Sequence, residues 1–560
     1  MLAMTDNKTS HQLKLISLGG FGLVTKNMFV YETPEDIVII DCGMGFPDEE
    51  MLGVDLVIPD ISYLKNKKDK IRGIILSHGH EDHIGATRFL LPQLPRVPVF
   101  GSNLTIALVK RKLNEVHVAA DLRIIDRRQT LHLGKFNIDF IQVAHSIPET
   151  LHIFMTTPYG NIYHGTDFKF DWTPIDGNQI EVEKMVKASE TGVDLMLSDC
   201  LRSEREGYTP SEQTLVEIFE REIDKAKGRF IVTTMSSNIS RLKTAIDVSL
   251  KHGRKIVLAG RSIKEIVKIG CQLGYIHLSR QQEVSPRQIS KYSPDKITIL
   301  AAGSQGQTGS ALDRIASGDH DSIKIRPDDF VVFSTDYIPG NESSIQSLID
   351  SIMKQGATVS YMDIIEDLHV SGHGAQRELS LLMHLVKPRY LLPIGGGFRQ
   401  MKQYALLAQR NGYTKDKILL PSSGDIIGLE NGKAKIDGHA QTRNIMVDGL
   451  GVGDVGNVVL RDRDVLSKEG VVVIVLTLDK ETLKSIVKPK VLSRGFVYGE
   501  IEDGREILRL AEEEIGKIIN KSHQGNNVKQ LKYKIQDQLE KFFYKTTGRR
   551  PMVLIIAIRN

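Results

Sequence analysis

Residues 76–86 read LSHGHEDHIGA and place His78, His80, Asp82 and His83 within six positions. Imidazole and carboxylate together suit zinc or another borderline divalent cation. Without a cation, four such groups so close would be a like-charge and desolvation liability. His78 and His80 fall on one side of an extended piece, while Asp82 and His83, just past it, can turn toward a neighbouring position. The set can therefore serve two metals.

Ligands need a rigid mount. The preceding IRGIIL is a β-type run and the following IGATRFLL can start a helix, so the cluster is expected on a loop leaving a strand. Other strand exits should supply further ligands: FIQVAHS delivers His145 and NIYHGTDFKFD delivers Asp167. Asp41, at the end of IVIIDCG, is read as a carboxylate that orients a ligand imidazole.

The chain around these residues has 560 positions, more than one core supports, so two to four domains are expected. Up to about residue 210, short β-rich runs alternate with turns and helical pieces such as ATRFLLPQL and NLTIALVKRKLNEV. Between about 211 and 370 strands and helices alternate regularly, as βαβ units around a parallel sheet do. A third texture, beginning near 445, reads as a small α+β domain. No apolar run approaches the roughly 20 residues that span a bilayer, and the N-terminus has no leader-like apolar core. Three scattered cysteines (Cys42, Cys200, Cys271) exclude a disulfide framework or a thiolate zinc site and agree with a cytoplasmic protein. The net charge of +4 permits a polyanionic substrate without requiring one.

The motif HxHxDH, followed by a strand-end His and a strand-end Asp, resembles the metallo-β-lactamase superfamily. ISLGGFGLVTKNMFVY, IIDCGMGFPDEEMLGVDLVIPD, SDCLRSEREGYTPSE, GSQGQTGSALDRIA, IPGNE, HVSGHG and the closing RRPMVL, in this order, are similar to the β-CASP nucleases and within these to ribonuclease J. The resemblance implies a metallo-β-lactamase αββα sandwich with an inserted β-CASP α/β domain and a small C-terminal α+β domain. The implied bounds are 1–210 for the first part of the sandwich, 211–370 for the insertion, 371–450 for the return segment, and 451–560 for linker and C-terminal domain. It implies two zinc ions per chain: one on His78, His80 and His145, a second on Asp82 and His83, with Asp167 between them. Hydroxide held there would attack the phosphodiester in line.

By the same resemblance Asp199 positions the nucleophile or a ligand histidine, and His373 is the general acid for the leaving 3′ oxygen. His369, Val370, Ser371, Gly372 and His373 form a phosphate-binding turn, whose small residues let backbone N–H groups approach an anion. Asn238 and Ser240, in SSNISR, are implied to lie near the 5′ end of RNA. From the residues alone SSNISR and GSQG are turns or helix caps.

Two positions depart from the family pattern. LLPIGGGFRQ at 391–400 stands where the family has a piece resembling PxHGEYRH, so Gly395 replaces the last ligand histidine; SNISR stands where the family more often has SN-x-HR, so Ser240 also replaces a histidine. A second metal held with more water, or a preference for Mn²⁺ or Mg²⁺, would follow. The activity implied is a metal-dependent ribonuclease with 5′–3′ exonuclease and endonuclease action, preferring 5′-monophosphate ends, in rRNA processing and mRNA decay. The alternatives are a weakly active or non-catalytic RNA-binding paralogue partnering an active ribonuclease J, and a hydrolase of small esters. RNA is the expected partner, with a homodimer, a homotetramer or a hetero-oligomer with a paralogue, and no membrane.

Overall fold

The computed structural model describes residues 12–338, 340–497, 502–521 and 527–560. The N-terminal stretch through residue 11 and Pro339 of IPGNE lie outside them. Two compact units result, one containing residues up to 45 and 58–444, the other containing 46–57 and 445–560.

The first unit holds two mixed sheets packed face to face. One has eight strands, in the order Lys433–His439, Asp425–Glu430, Leu13–Gly19, Met28–Glu32, Ile37–Ile40, Ile71–Ile75, Pro98–Gly101 and Asp121–Ile124. The other has six, in the order Tyr390–Ile394, Leu195–Asp199, Gly160–His164, Thr150–Thr157, Phe136–Val143 and Leu131–Leu133. Runs such as IVII and FVYE are buried along their whole length because both faces of each sheet are covered. Phe29, Val38 and Ile75 from the first sheet meet Phe140, Ile153 and Leu197 from the second in one apolar core. Helices Val182–Thr191, Gln376–Val386 and Phe398–Arg410 cover the outer face of the six-stranded sheet through Met185, Leu382 and Met401.

Within the same unit, Lys255–Ala259, Ile297–Ala301, Phe230–Thr233, Phe330–Phe333 and Thr358–Ser360 form a five-stranded sheet, parallel throughout. Its helices include Ile239–Lys251, Arg261–Gln272 and Glu342–Lys354. Beyond Thr358–Ser360 the chain returns to the six-stranded sheet: Tyr390–Ile394 pairs in parallel with Leu195–Asp199, aligning Ile394 with Asp199, so Gly395 emerges beside that aspartate.

ATRFLLPQL does not form one helix. Thr87–Leu90 makes a single α turn and Leu91–Gln93 a 3₁₀ turn, with Pro92 unable to donate the next helical bond.

In the second unit, strands Lys490–Arg494, Val471–Leu478 and Met552–Arg559 form a sheet whose central run VVVIVLTL alternates half-buried and buried residues. Helices Glu502–Asn520 and Val528–Thr547 cover one face through Ile515, Ile535 and Phe543. Among the described residues no helix is long and apolar enough to cross a membrane.

Candidate metal centre

The loop after strand Ile71–Ile75 carries His78 and His80, and His80 then caps a one-turn helix, Glu81–Ile84. Asp82 and His83 are thus helical, which turns them away from the extended His78–His80 piece and toward a second position. Donor atoms of His78, His80, His145 and Asp167 lie within 4.8 Å of one another, as do those of Asp82, His83 and Asp167. Asp167 is common to both groups. Its Oδ2 stands 3.8 Å from His78 Nε2, 3.7 Å from His145 Nε2 and 3.4 Å from His83 Nε2.

Hydrogen bonds behind the rings fix which nitrogen faces inward. His145 Nδ1 lies 2.6 Å from the Gly372 carbonyl, which can only accept, so the proton is on Nδ1 and the Nε2 lone pair points into the cluster. Asp41 does the same for His83, with Oδ2 2.7 Å from Nδ1. Ser77 Oγ donates to Asp41 Oδ2 at 2.8 Å and so receives the Nδ1 proton of His78 at 3.0 Å. The Nε2 atoms of His78 and His145 then stand 3.2 and 3.1 Å from His80 Nδ1. Three inward nitrogens and a carboxylate at these distances fit a divalent cation, whereas a single proton could satisfy only one such pair.

The electrostatics agree at the first group, whereas at the second burial is outweighed by the Asp82, Asp41 and Asp167 carboxylates, which hold His83 well above the ordinary histidine range. Burial and the neighbouring imidazoles hold His78 and His145 well below the ordinary histidine range, and burial takes His80 to about 4, so these rings are neutral donors. At Asp167 burial is outweighed by His83 and His373, and its carboxyl falls well below its usual range.

On the far side of Asp167 a third group gathers Asp167, Asp199 and His373. His373 Nδ1 is 2.7 Å from Asp199 Oδ2, and Asp199 Oδ1 accepts the Leu201 N–H at 2.8 Å. Burial lowers the His373 pKa, but the Asp199 and Asp167 carboxylates prevail and raise it to about 9.

The turn HVSGHG closes over His145. A Cβ at Gly372 would lie 2.6 Å from His145 Cε1, so only glycine fits there. Not every N–H of this turn is free for an anion: His373 N–H donates to Ser371 Oγ at 3.2 Å and Gly374 N–H to the Phe168 carbonyl at 2.6 Å. His369 Nδ1 accepts from Arg241 Nη1 at 2.7 Å, which leaves only its Nε2–H to reach a ligand. Asn238 is buried and its Oδ1 caps helix Ile239–Lys251 by accepting the Arg241 N–H at 2.9 Å. Ser240, also buried, lines a small cavity with His145, Asp171 and Glu212.

Two residues that carry this architecture escape a reading of local pattern. Arg241, 1% exposed, holds His369, the Val370 carbonyl at 2.9 Å and Glu212 Oε1 at 2.7 Å. Glu378 accepts from the Ala375, Thr209 and Phe170 N–H groups at 2.7, 2.7 and 2.8 Å, tying the turn to the strand exit that carries Asp167. For Arg241 the available signal was its place at the end of SSNISR; for Glu378 there was none. Gly395 has φ +66°, and a Cβ there would lie 3.6 Å from both Asp167 Oδ1 and Asp199 Oδ1. That position therefore does face the cluster.

Four family models match the chain: "Metallo-beta-lactamase superfamily" over residues 21–116, "Ribonuclease J, beta-CASP domain" over 227–352, "Zn-dependent metallo-hydrolase RNA specificity domain" over 361–421, and "Ribonuclease J C-terminal domain" over 458–560. Ribonuclease J2 of Bacillus subtilis is 36% identical over 98% of this chain and 99% of its own length. Ribonuclease J 1 of Streptococcus pyogenes is 35% identical over 98% of both, and Ribonuclease J 2 of Staphylococcus aureus 32% identical over 98% of both. A solved protein of unknown function from Enterococcus faecalis shares the fold, with a TM-score of 0.53 and 15% identity over 74% of this chain and 99% of its own.

Proposed function

The chain belongs to the ribonuclease J family of metal-dependent RNA hydrolases, and from that premise we propose that it cleaves RNA internally and stepwise from the 5′ end, preferring a 5′-monophosphate, in RNA maturation and decay. The observation that carries this reading is Asp167, whose carboxylate is shared by an imidazole-rich donor group and by the Asp82–His83 pair. We assign zinc to the group of His78, His80 and His145. Divalent cations held by these residues would supply Lewis acidity toward a phosphodiester and would lower the pKa of a bound water to about 7.

The protein's own groups do the rest. Gly372, Ser77 and Asp41 hold the ligand imidazoles in one tautomer, so no reorganisation is needed when the substrate enters. His373, protonated near neutral pH, keeps a proton beside Asp199 for the leaving 3′ oxygen. The Ser371 and Gly372 N–H groups and His369 Nε2–H receive the 5′ phosphate. Because the neighbouring donors are already taken and the turn is pinned by Thr209 Oγ1 on the His373 carbonyl at 2.7 Å, a monophosphate is the better fit. Asn238 contributes by starting the helix that carries Arg241, and Ser240 by lining the cavity beside His145.

Gly395 favours a second reading, a weakly active or non-catalytic RNA-binding subunit that pairs with an active relative. The two are separated by incubating purified protein with 5′-labelled monophosphorylated and triphosphorylated RNA and Mn²⁺ or Mg²⁺, beside an Asp82→Ala, His83→Ala control. Cleavage by the wild type alone, faster on the monophosphate, supports the first; tight binding with no cleavage by either protein supports the second. We place the enzyme in the cytoplasm, where its three free thiols are at home. We assign assembly into a homodimer, a homotetramer or a hetero-oligomer to the C-terminal unit, and an unchanged oligomer on gel filtration of a truncation at about 455 would refute that assignment.

A further inference from the structure

We propose that Arg202, in the turn that leaves Asp199, is a substrate-binding residue whose guanidinium grips a phosphate group of the RNA. This rests on the reading above that the substrate is RNA.

The turn begins at the site itself. Asp199 ends strand Leu195–Asp199, faces His373 through Oδ2 and accepts the Leu201 N–H on Oδ1, so Arg202 follows directly on a group of the cluster. Further bonds fix the turn. The Arg205 N–H reaches the Arg202 carbonyl, and Gln376, at the start of the helix after HVSGHG, donates to the Ser203 and Arg205 carbonyls, each bond 2.9 Å long. Ser203 Oγ donates to the Gln400 carbonyl at 2.8 Å, on the helix that follows Gly395. Arg202 is thus carried by a piece tied to the two segments that bring His373 and Gly395 to the cluster.

Its guanidinium has nothing to hold. Other buried arginines of this unit are taken up by the protein: Arg241 by Glu212, His369 and the Ser334 and Val370 carbonyls, Arg254 by the Ala226, Gly228 and Ile297 carbonyls. Arg202 is half-buried, its Nε is shut off from solvent with no hydrogen-bond partner, and it enters no ion pair among the described residues. Burial and then the charge of Arg205 work against the guanidinium, while Asp336, Glu378 and Asp199 favour it from beyond bonding distance. After burial and Arg241, its own field helps to hold His369 well below the ordinary histidine range. A buried donor and an uncompensated charge are each costly alone, and one anion relieves both. The planar fork of arginine matches two oxygens of a single phosphate. Since the charge is felt at Asp199 and at His369 alike, that phosphate is the 5′-terminal group of an RNA end or an internal phosphodiester of RNA lying across the site.

The test is binding of labelled single-stranded RNA, with a 5′-hydroxyl or a 5′-monophosphate, to full-length protein in chelator, followed by fluorescence anisotropy over a range of salt. Arg202→Gln should weaken binding by about tenfold or more and lower the slope of log affinity against log salt by about 0.7, the share of one phosphate contact on a single strand. Arg202→Lys keeps the charge without the fork, so it should restore the slope and only part of the affinity. Because Arg202→Gln removes an unpartnered buried charge, its melting temperature without RNA should be equal to or above that of the wild type. An equal loss on both RNAs assigns the contact to an internal phosphodiester, and a loss confined to the 5′-monophosphate assigns it to the chain end; each supports the proposal. An Arg202→Gln protein with unaltered affinity and slope, or one that melts lower and regains neither with lysine, overturns it. Binding that depends on Arg202 in a protein that cleaves nothing when metals are restored would refute the catalytic reading and leave this one standing, whereas a wild type that binds no RNA would overturn both.

Discussion

His373 and Asp199, 174 positions apart in sequence, meet through a single contact of 2.7 Å between Nδ1 and a carboxylate oxygen. Burial opposes the imidazolium, yet Asp199 and Asp167 together hold its pKa at about 9. The ring is therefore charged at neutral pH and gives up its proton only on the alkaline side. Asp199→Asn removes the charge while keeping a hydrogen-bonding side chain. The expected result is a fall in cleavage rate of about 10²- to 10⁴-fold, with the alkaline limb of the pH–rate profile moving from near 9 toward the ordinary histidine value of about 6.5. An alkaline limb that stays in place would assign the acid elsewhere.

Asp41 touches no site for substrate, but it fixes His83 directly and His78 through Ser77. Asp41→Asn can present an amide N–H to His83 Nδ1 and reverse the tautomer, turning the wrong nitrogen inward. We expect affinity for the bound cations to drop by about 10- to 100-fold, with Ser77→Ala showing a smaller loss confined to the His78 side. Competition against a chromogenic chelator measures both; equal affinities in wild type and Asp41→Asn would remove Asp41 from the metal centre.

These two cases mark what the sequence made legible. The candidate ligands stood out because four side chains able to bind a metal crowd into six positions and the remaining two end β-type runs, and both facts survive without knowing any contact. The parallel sheet was readable for a similar reason, since its alternation of apolar strands and amphipathic helices is local. Ser77, Arg241 and Glu378 were not, because their roles consist of partners far along the chain: Arg241 reaches His369 at a separation of 128 and Glu378 reaches Phe170 at 208. A lone buried arginine or glutamate has no periodicity to announce it. Likewise Pro92, in plain view, breaks a run that apolar pattern alone reads as one helix.

Two further histidines, His152 and His164, lie behind the cluster and are fully buried. His152 contacts the Tyr163 hydroxyl at 2.9 Å and the Thr166 carbonyl at 3.2 Å; His164 Nδ1 contacts the Tyr31 hydroxyl at 2.7 Å. Burial takes each to about 3. Because the folded pKa lies below the unfolded value of about 6.5, the unfolded chain binds these two protons first on acidification. Their contribution to stability is complete above about 6.5 and is lost as pH falls toward 3, by about 1.4 kcal/mol per pH unit for each ring. Urea midpoints should therefore drop steeply between pH 6.5 and 4.5, and His152→Gln with His164→Gln should flatten that slope. A wild-type midpoint that does not change over this range would contradict it.

Arg229 and Asp329 are 2% exposed each, and they pair through Nε at 2.8 Å and Nη2 at 2.5 Å at the N-terminal ends of strands Phe230–Thr233 and Phe330–Phe333. The pair sets the parallel register in which Phe230 faces Phe330. Asp329→Ala would strand a guanidinium in the interior, and the expected cost is about 3–5 kcal/mol, read as a lower melting temperature. Replacing both partners by apolar residues of similar volume, Arg229→Met with Asp329→Leu, should restore most of it, since no charge is then left unpaired. The helix that carries Arg241 follows the first of these strands, so the damage should spread along a defined route. In Asp329→Ala, RNA cleavage and affinity for 5′-phosphorylated ends should decline before the imidazole-rich position loses its cation, because His78, His80, His145 and Asp167 are mounted on the other two sheets. Loss of that cation in step with loss of the five-stranded sheet would show instead that the two parts of the unit fold as one cooperative body.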